Sequence, residues 1–213
     1  MNGTLIEMHI NAYLQRLQRG DVELPQNLID DCSKQINDWF ATMAKRSNHG
    51  KFTLRMSSIG KPVCQLWHEK HGTKEEVRDS ELIPVRFASG ALIEAWLLMI
   101  IKASGLNVEA SSVRVSLDVN GSQISGELDI IIDGVVYDIK SASASSFYKF
   151  EQGFDALLKD DPFGYIVQGY GYAKAKGLPF GGWIVLNKSS SRIVVCETPG
   201  NSAVQEKRAL KKA

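Results

Sequence analysis

The sequence predicts an α/β fold with a mixed central β-sheet flanked by helices and a helical extension at the N-terminus. Three observations support this prediction. Apolar residues recur at helical spacing through residues 1–50, hydrophobicity alternates as in strands through residues 113–140, and a further helical pattern precedes a last apolar hairpin. Because helices come both before and after the strands, we expect them to pack on the sheet as an α/β sandwich.

Length and composition fit a single soluble unit. A chain of 213 residues is long enough to bury a substantial core, and we expect residues 51–213 to form the main domain and residues 1–50 the extension. The formal net charge of +1 gives no global attraction to nucleic acid, so such binding requires local patches. The longest apolar stretch, residues 95–101, is too short to span a bilayer, and we expect no membrane partner.

Cysteine usage and the N-terminal residues favour a cytoplasmic setting. The three cysteines, Cys32, Cys64 and Cys196, form no CxxC pair and leave one unpaired in any disulfide scheme. The N-terminus has no basic segment that leads into an apolar run, as a signal peptide would have. We therefore expect a reduced protein in the cytoplasm.

Helical patterns occupy the first half of the chain. One covers about residues 5–17, a break follows at residues 20–25, and a second helix is expected over residues 25–45. A third helix is predicted over residues 89–103, where Ser104-Gly105 would end it. The first two have the composition of packing helices.

Two turn signals predict a three-stranded antiparallel meander. Asn-Gly at 120–121 and Asp-Gly at 133–134 are each typical of a type I′ hairpin. Counting outward from the first turn places Arg114 opposite Glu127, and the apolar sides of all three strands then agree. The two turns therefore predict the register of all three strands.

Opposed acidic residues are the most informative feature of this meander. Counting back from the second turn, Asp129 faces Asp138 and Glu127 faces Lys140, with directly opposed side chains about 5 Å apart at Cβ. Two carboxylates at that distance repel each other, so the arrangement requires a compensating cation, and a divalent metal is the natural candidate. The alternative is a solvated sheet face on which the lysine neutralises one acid. The other face is expected to be core: Leu128, Ile130, Ile132, Tyr137 and Ile139.

The remaining elements follow the third strand. Residues 141–146 form a serine-rich segment expected to be a loop, a helix is predicted over about residues 161–176, and a last hairpin over residues 182–186 and 192–196. The aromatic run at residues 147–150 has two interpretations, stacking on a frayed nucleobase or packing in the core.

An aspartate, a hairpin and then Asp-x-Lys form a pattern at Asp129, Asp138 and Lys140. This pattern resembles the PD-(D/E)XK nuclease superfamily, whose core hairpin presents these residue types. The resemblance implies a restriction-endonuclease-like core and metal-dependent hydrolysis of phosphodiester bonds with Mg²⁺ or Mn²⁺. It covers roughly residues 54–196 and leaves the N-terminal helices without a role.

Glu94 is the best candidate for a further metal ligand. Its helical neighbours are apolar or small, so burying this carboxylate without a partner would be costly. The spacing of Gly90 and Glu94 is similar to that in RecB-like and phage-lambda-type exonucleases, where a helix before the sheet carries an acidic ligand four residues after a glycine. The alternative is a glutamate at an exposed helix edge.

A second helical pair extends the resemblance. Gln168 and Tyr172 lie one turn apart on one face of the predicted helix, and RecB-like nucleases carry a Gln and a Tyr with this spacing. The amide can orient the substrate or the lysine, and the phenol can donate to a phosphate. Without the family, such a pair is more often ordinary helix surface or core.

An anion-binding segment is predicted upstream of the acidic helix. Arg55 and Lys61 bracket Ser57 and Ser58, and arginine with serine hydroxyls and backbone N–H groups suits a phosphate. The segment resembles the 5′-phosphate pocket of lambda-type exonucleases. A plain loop that enters a helix at either serine explains the hydroxyls nearly as well.

The resemblance implies a mechanism and partners. Glu94, Asp129, Asp138 and the main-chain carbonyl of Ile139 would hold one or two Mg²⁺ ions, and Lys140 would position or deprotonate the attacking water or stabilise the transition state. We expect a DNA exonuclease that acts on 5′-phosphorylated ends; the alternatives are an endonuclease or an inactive nucleic-acid-binding module. DNA is the implied partner, and the resemblance also admits a homo-oligomer, a single-strand annealing protein or the replication machinery, in a bacterial cell or phage-infected host.

Overall fold

A computed structural model describes residues 2–45, 52–72, 82–119 and 121–199. One 3₁₀ turn covers Met56–Ser58. The helices are α1 (Gly3–Arg19), α2 (Gln26–Lys45), α3 (Val63–His71), α4 (Ile83–Ala103), α5 (Ala144–Glu151), α6 (Phe154–Lys159) and α7 (Tyr165–Lys176). The strands are β1 (Val108–Val119), β2 (Ser122–Ile132), β3 (Val135–Ala142), β4 (Phe180–Asn187) and β5 (Ile193–Glu197).

The five strands form one mixed sheet in the order β1-β2-β3-β4-β5. The pair β3–β4 is parallel, and the three other pairs are antiparallel. The parallel pair requires a long crossover, and α5, α6 and α7 supply it. The predicted fold class, an α/β fold with a mixed sheet flanked by helices, is confirmed.

Apolar clusters cover both faces of the sheet. Ile130 and Tyr137 belong to the cluster that α1, α2 and α4 cover, whereas Ile131 and Val136 belong to the cluster beneath α7. The sequence predicted that one face of the β2–β3 hairpin is buried in the core and that the other carries only the site residues. This prediction is wrong along most of the hairpin, because α7 also buries the face that carries the acids. Leu128, predicted with Ile130, lies in the α7 cluster.

The N-terminal helix α1 is part of the core. Ile6 and Ile10 are fully buried in the same cluster as α4. Glu7 accepts a hydrogen bond from the Val195 N–H at 2.6 Å, and Glu197 accepts one from the Gly3 N–H. These contacts cover the edge strand β5, whose free backbone groups would otherwise be open to pairing.

The two hairpins have the predicted register near their turns. Arg114 pairs with Glu127 across β1–β2, although Asn120 of that turn lies outside the described residues. Asp133 and Gly134 both have positive φ, 48° and 72°, as a type I′ turn requires. The β2–β3 ladder, however, ends at the pair Ile130–Tyr137. Direct cross-strand pairing of the two aspartates, and of Glu127 with Lys140, was therefore a wrong prediction.

Two segments after the β2–β3 hairpin also differ from the prediction. Residues 141–142 belong to β3, and Ser143 caps α5 by accepting from the Ser146 N–H, so the segment 141–146 is not a loop. The predicted helix at residue 161 begins four residues later, because Asp161 acts as its cap, accepting from the N–H groups of Tyr165 and Ile166, each at 2.9 Å.

Helix α4 is the one described helix long and apolar enough, by length and composition, to cross a membrane. It begins six residues before the predicted start and is longer than the apolar run considered in the sequence. Its C-terminal half is a core element, because Ala95 and residues 97–101 are buried in the structure. The apolar composition of α4 therefore comes in part from residues that pack in the core.

Candidate active site

Asp138 and Lys140 form an ion pair on β3. They are two residues apart in the strand and share one face, and Lys140 Nζ lies 2.6 Å from Asp138 Oδ2. The Asp138 side chain is 2% exposed and that of Lys140 is 19% exposed. The sequence left open whether Glu127 would occupy the lysine, and the structure places the ammonium on Asp138.

Asp129 approaches the same place from β2. Its Oδ2 accepts a hydrogen bond from the main-chain N–H of Ile139 at 2.6 Å. This bond occupies the gap that opens where the ladder between the two strands stops. Because the N–H and C=O of one strand residue point to the same edge, the Ile139 carbonyl faces this gap as well.

Glu94 is supplied by α4. A Cβ on Gly90 would lie 3.9 Å from Ser141 Oγ, so this part of α4 lies against the end of β3. Burial raises the pKa of the Glu94 carboxyl to about 7; the charges of Asp138 and Glu127 also raise it, and that of Lys140 lowers it. Glu94 is half-buried, and its carboxyl group lies within electrostatic reach of Asp138 and Lys140.

The acids are short of positive charge. Burial raises the pKa of Asp129, and the charges of Asp138 and Glu94 raise it further. Burial also raises the pKa of Asp138 despite the adjacent Lys140. In addition, Asp138 Oδ1 is buried without a hydrogen-bond partner among the described residues. One ammonium thus faces three carboxyl groups.

This donor set suits a hard divalent cation. Mg²⁺ and Mn²⁺ prefer carboxylate, carbonyl and water oxygens, and a divalent ion would supply the missing charge and a partner for Asp138 Oδ1. Within the described ranges, no three His, Cys, Asp or Glu side chains are already arranged around one point as a metal cage. Asp138 would offer an ion its Oδ1, the oxygen that Lys140 does not contact.

Tyr165 is a neighbour of Lys140 that the sequence did not reveal. Lys140 Nζ lies 5.3 Å from the centre of the Tyr165 ring, which is cation–π distance. Burial alone would lower the pKa of Lys140, but Asp138 and Asp129 outweigh it and the pKa is raised. The spacing of Tyr165, Gln168 and Tyr172 on one helix face could have signalled this residue.

Gln168 and Tyr172 are both buried, at 8% and 4% exposure. Gln168 Nε2 donates to Tyr172 Oη at 3.4 Å. Burial raises the pKa of Tyr172 to about 12, and the negative charges of Asp129 and Asp138 contribute. The pair is thus not helix surface, and its hydroxyl lies within electrostatic reach of the acids.

A cleft of about 480 Å³ is lined by Tyr172, whose hydroxyl lies within electrostatic reach of Asp129 and Asp138, and by Glu127. Arg55 and Ser57 line it as part of the predicted anion-binding segment. Arg114 also lines it and was not among the predicted site residues, although its register opposite Glu127 placed it beside the acids. The full lining comprises Thr53, Arg55, Ser57, Arg114, Ser125, Gly126, Glu127 and Tyr172.

The other two predicted phosphate residues lie elsewhere. Ser58 closes the 3₁₀ turn through its N–H, which donates to the Arg55 carbonyl. Lys61 forms an ion pair with Glu69 of α3 at 2.8 Å. The alternative explanation, a loop that enters a helix at either serine, does not hold. The 3₁₀ turn has Arg55 as its N-cap and no side-chain cap, and α3 begins after Pro62.

Comparisons with known proteins place this arrangement in no family. No family model and no curated protein matches the chain. A solved structure titled "Crystal structure of SSO0001" is similar to it with a TM-score of 0.49 and 14% sequence identity, over 85% of this chain and 82% of that one. This level of similarity carries no statement about function.

Proposed function

We propose that this protein is a metal-dependent deoxyribonuclease of the PD-(D/E)XK type, an exonuclease that takes 5′-phosphorylated duplex ends in viral or bacterial DNA recombination, repair or degradation. The observation that carries the proposal is the group of mutually repelling acids Glu94, Asp129 and Asp138 beside the Lys140 ammonium. Buried like charges of this kind are concentrated at functional sites. A merely structural ion pair would need one acid.

Glu94, Asp129, Asp138 and the Ile139 carbonyl would hold Mg²⁺ or Mn²⁺. When bound, such an ion lowers the pKa of coordinated water and neutralises charge on the scissile phosphate. The acids themselves bind and orient the ion. Asp138 is buried on the face of the sheet that α7 covers, and exclusion of bulk solvent there strengthens the charge interactions at the site.

Lys140 would act directly on the reacting groups. Its raised pKa keeps it protonated at neutral pH, so we assign it to stabilising negative charge on the phosphate and to orienting the attacking water, rather than to removing a proton. Gln168 and Tyr172, bonded to each other, would hold the opposite wall of the site and offer the phenol O–H to a phosphate oxygen.

The cleft that Glu127 and Tyr172 line would receive the DNA strand. Arg55 and Arg114 place two guanidinium groups on its lining together with the Ser57 hydroxyl. Arginine binds phosphate through two parallel N–H donors. This arrangement supports recognition of a terminal 5′ phosphate next to the scissile bond, although the chain as a whole carries almost no net charge.

One observation favours a second candidate, a nucleic-acid-binding module without turnover. Asp138 is paired with Lys140 and Asp129 with the Ile139 N–H, so both carboxylates have protein partners. A module of this kind would bind DNA through the arginine-lined cleft yet leave it intact. The nuclease proposal also carries expectations about partners and location. We expect a single-strand annealing protein or a second copy of the chain as a partner, and a cytoplasmic location.

The test is incubation with linear and closed circular duplex DNA in Mg²⁺, Mn²⁺ or EDTA, beside the variant Asp138→Asn. A 5′ exonuclease degrades the linear DNA only with metal, prefers phosphorylated 5′ ends and leaves circles intact. Cleavage of circles identifies an endonuclease. Binding without cleavage in either metal identifies the inactive module and overturns the proposal.

A further inference from the structure

An exposed aromatic side chain lies beside the acid cluster. Phe163 is 56% exposed, and its ring stacks on that of Tyr165 with the centroids 5.4 Å apart and the planes 29° from parallel. Tyr165 in turn lies beneath the Lys140 ammonium. One aromatic pair thus leads from the surface to the candidate catalytic lysine.

The turn that carries Phe163 is held in place from three directions. Pro162 precedes it, with a fixed φ. Gly164 follows in the left-handed region at φ 72° and lies so close to Gly60 that a Cβ on Gly164 would be 2.2 Å from the Gly60 carbonyl carbon. Asp161 accepts two backbone N–H groups at the start of α7. These contacts fix the backbone on either side of Phe163, and the stack on Tyr165 orients its exposed ring.

Its distance from the reacting groups matches a polynucleotide. Two ring-to-neighbour steps, 5.4 Å to Tyr165 and then 5.3 Å to Lys140 Nζ, join Phe163 to the site. A stacked strand advances about 3.4 Å per nucleotide, so a base on Phe163 would be a few nucleotides from a phosphate at Lys140. The Gly60 contact also ties this turn to the segment that carries Arg55 and Ser57.

We propose that Phe163 is a stacking platform for an unpaired nucleobase of the substrate strand. The inference rests on the proposed function and deepens it, because a base can stack there only where it is not enclosed in a duplex. Aromatic side chains bind successive bases of single strands in this way, with little sequence preference. At a duplex end the terminal pairs would thus have to fray before a base reaches Phe163, whereas a single strand needs no such step.

Tyr148 is the other exposed aromatic of the crossover, and it is a weaker candidate. It is 58% exposed on α5, while Phe147 and Phe150 of the same run are buried in the core. Lys149 of this run pairs with Asp160. The core-packing interpretation of residues 147–150 therefore holds for both phenylalanines. Of the two exposed aromatics of the crossover, Phe163 is the one whose ring stacks on Tyr165.

The test measures binding in EDTA, where cleavage is not required. A single-stranded oligodeoxynucleotide with a 5′ phosphate carries 2-aminopurine near that end, since stacking on an aromatic ring quenches its fluorescence. The variants are Phe163→Ala and Phe163→Trp, and the matched control is Phe40→Ala, which removes an aromatic that is 47% exposed on α2. Thermal melting verifies that each variant is folded.

We expect wild type, Phe163→Trp and Phe40→Ala to quench the probe, and Phe163→Ala to lose the quenching and bind about tenfold more weakly. A fully paired duplex probe should be quenched less than the single strand. Equal quenching by Phe163→Ala, or no quenching by wild type, overturns the inference. Quenching by a protein that cleaves no DNA with any metal would leave the platform standing and remove the nuclease proposal alone.

Discussion

Asp129 accepts a hydrogen bond from the main-chain N–H of Ile139 at 2.6 Å, at the point where β2 and β3 cease to pair. A side chain thus replaces the ladder bond that the next strand residue would have made. The replacement turns the carboxyl group into the gap beside Asp138 and Lys140. Asp129 therefore approaches Asp138 and Lys140 at the place where the strands separate, and not by opposing Asp138 in an unbroken ladder.

The variant Asp129→Asn should separate folding from activity. An amide oxygen can still accept the Ile139 N–H, while removal of one buried negative charge relieves repulsion by Asp138 and Glu94. We expect the free energy of unfolding in EDTA to rise by at most about 1 kcal/mol. Nuclease activity should fall by about 100-fold or more. Loss of stability with activity retained would contradict this role.

The pH dependence of stability should identify Glu94. The ordinary pKa of a glutamate carboxyl is 4.5, and that of Glu94 rises to about 7 in the folded protein, so between these values the native state holds a proton that the unfolded state has lost. Stability in EDTA should therefore fall as pH rises through this window, by on the order of 2 kcal/mol from this group, and level off above it. Thermal melts of Glu94→Gln should lack that part of the slope; identical slopes would refute the assignment.

Divalent metal should stabilise the wild-type protein. An ion that binds only the folded state contributes about 2.7 kcal/mol at 100 times its Kd. For a chain of this length that corresponds to a Tm increase of roughly 5–10 °C. We expect this increase with Mn²⁺ or Mg²⁺ and little of it in Asp138→Asn, measured by calorimetry. An equal shift in both proteins would mean that the ions bind elsewhere.

Two lysine ion pairs should differ sharply in their contribution to stability. Lys140→Met leaves Asp138 buried and unpaired, and should lower the free energy of unfolding by about 3 kcal/mol. Lys61→Met removes a more exposed pair with Glu69 and should cost less than about 1 kcal/mol. Urea unfolding measures both. Equal effects would indicate that Asp138 has another partner or loses its charge without cost.

Two glycine substitutions test the packing around the site. A Cβ on Gly60 would lie 2.3 Å from the Gly164 carbonyl oxygen, so Gly60→Ala must displace the backbone of one of the two segments. We expect this variant to lower the free energy of unfolding by about 2 kcal/mol or more. Gly90→Ala meets Ser141 Oγ at an ordinary 3.9 Å and should stabilise α4 by roughly 0.5–1 kcal/mol. Chemical denaturation measures the free energy of unfolding of both variants. A Gly60→Ala protein more stable than Gly90→Ala would contradict the packing described here.

The sequence predicts most of the sheet because turns encode register locally. Asp133 and Gly134 can both adopt positive φ, and that fixes which residues of β2 and β3 pair. The point at which the ladder ends could not be predicted in this way. It depends on the hydrogen bond that the Asp129 side chain accepts from the Ile139 N–H, which competes with the backbone pairing that the alternation indicates.

Helix boundaries and burial were harder to predict for a different reason. Propensity does not reveal that Asp161 caps α7 from four residues away, or that α7 covers Ile131 and Val136 on the face that carries the acids. Tyr165 was absent from the predicted site because the docking of α7 beside Lys140 is a tertiary property. Arg114 was absent although the predicted register had placed it opposite Glu127, because that register does not reveal the cleft that Arg114 lines. The predicted acids, Lys140, Gln168 and Tyr172 lie near one another in the structure.

A crystal structure after soaking in Mn²⁺, with anomalous scattering recorded for the manganese, would decide whether the acid cluster is a metal centre. If it is, an anomalous peak lies in contact with Glu94, Asp129 and Asp138, with Lys140 moved off Asp138 to face an open coordination position. A map with no peak there, and the Lys140–Asp138 pair intact, would contradict the assignment.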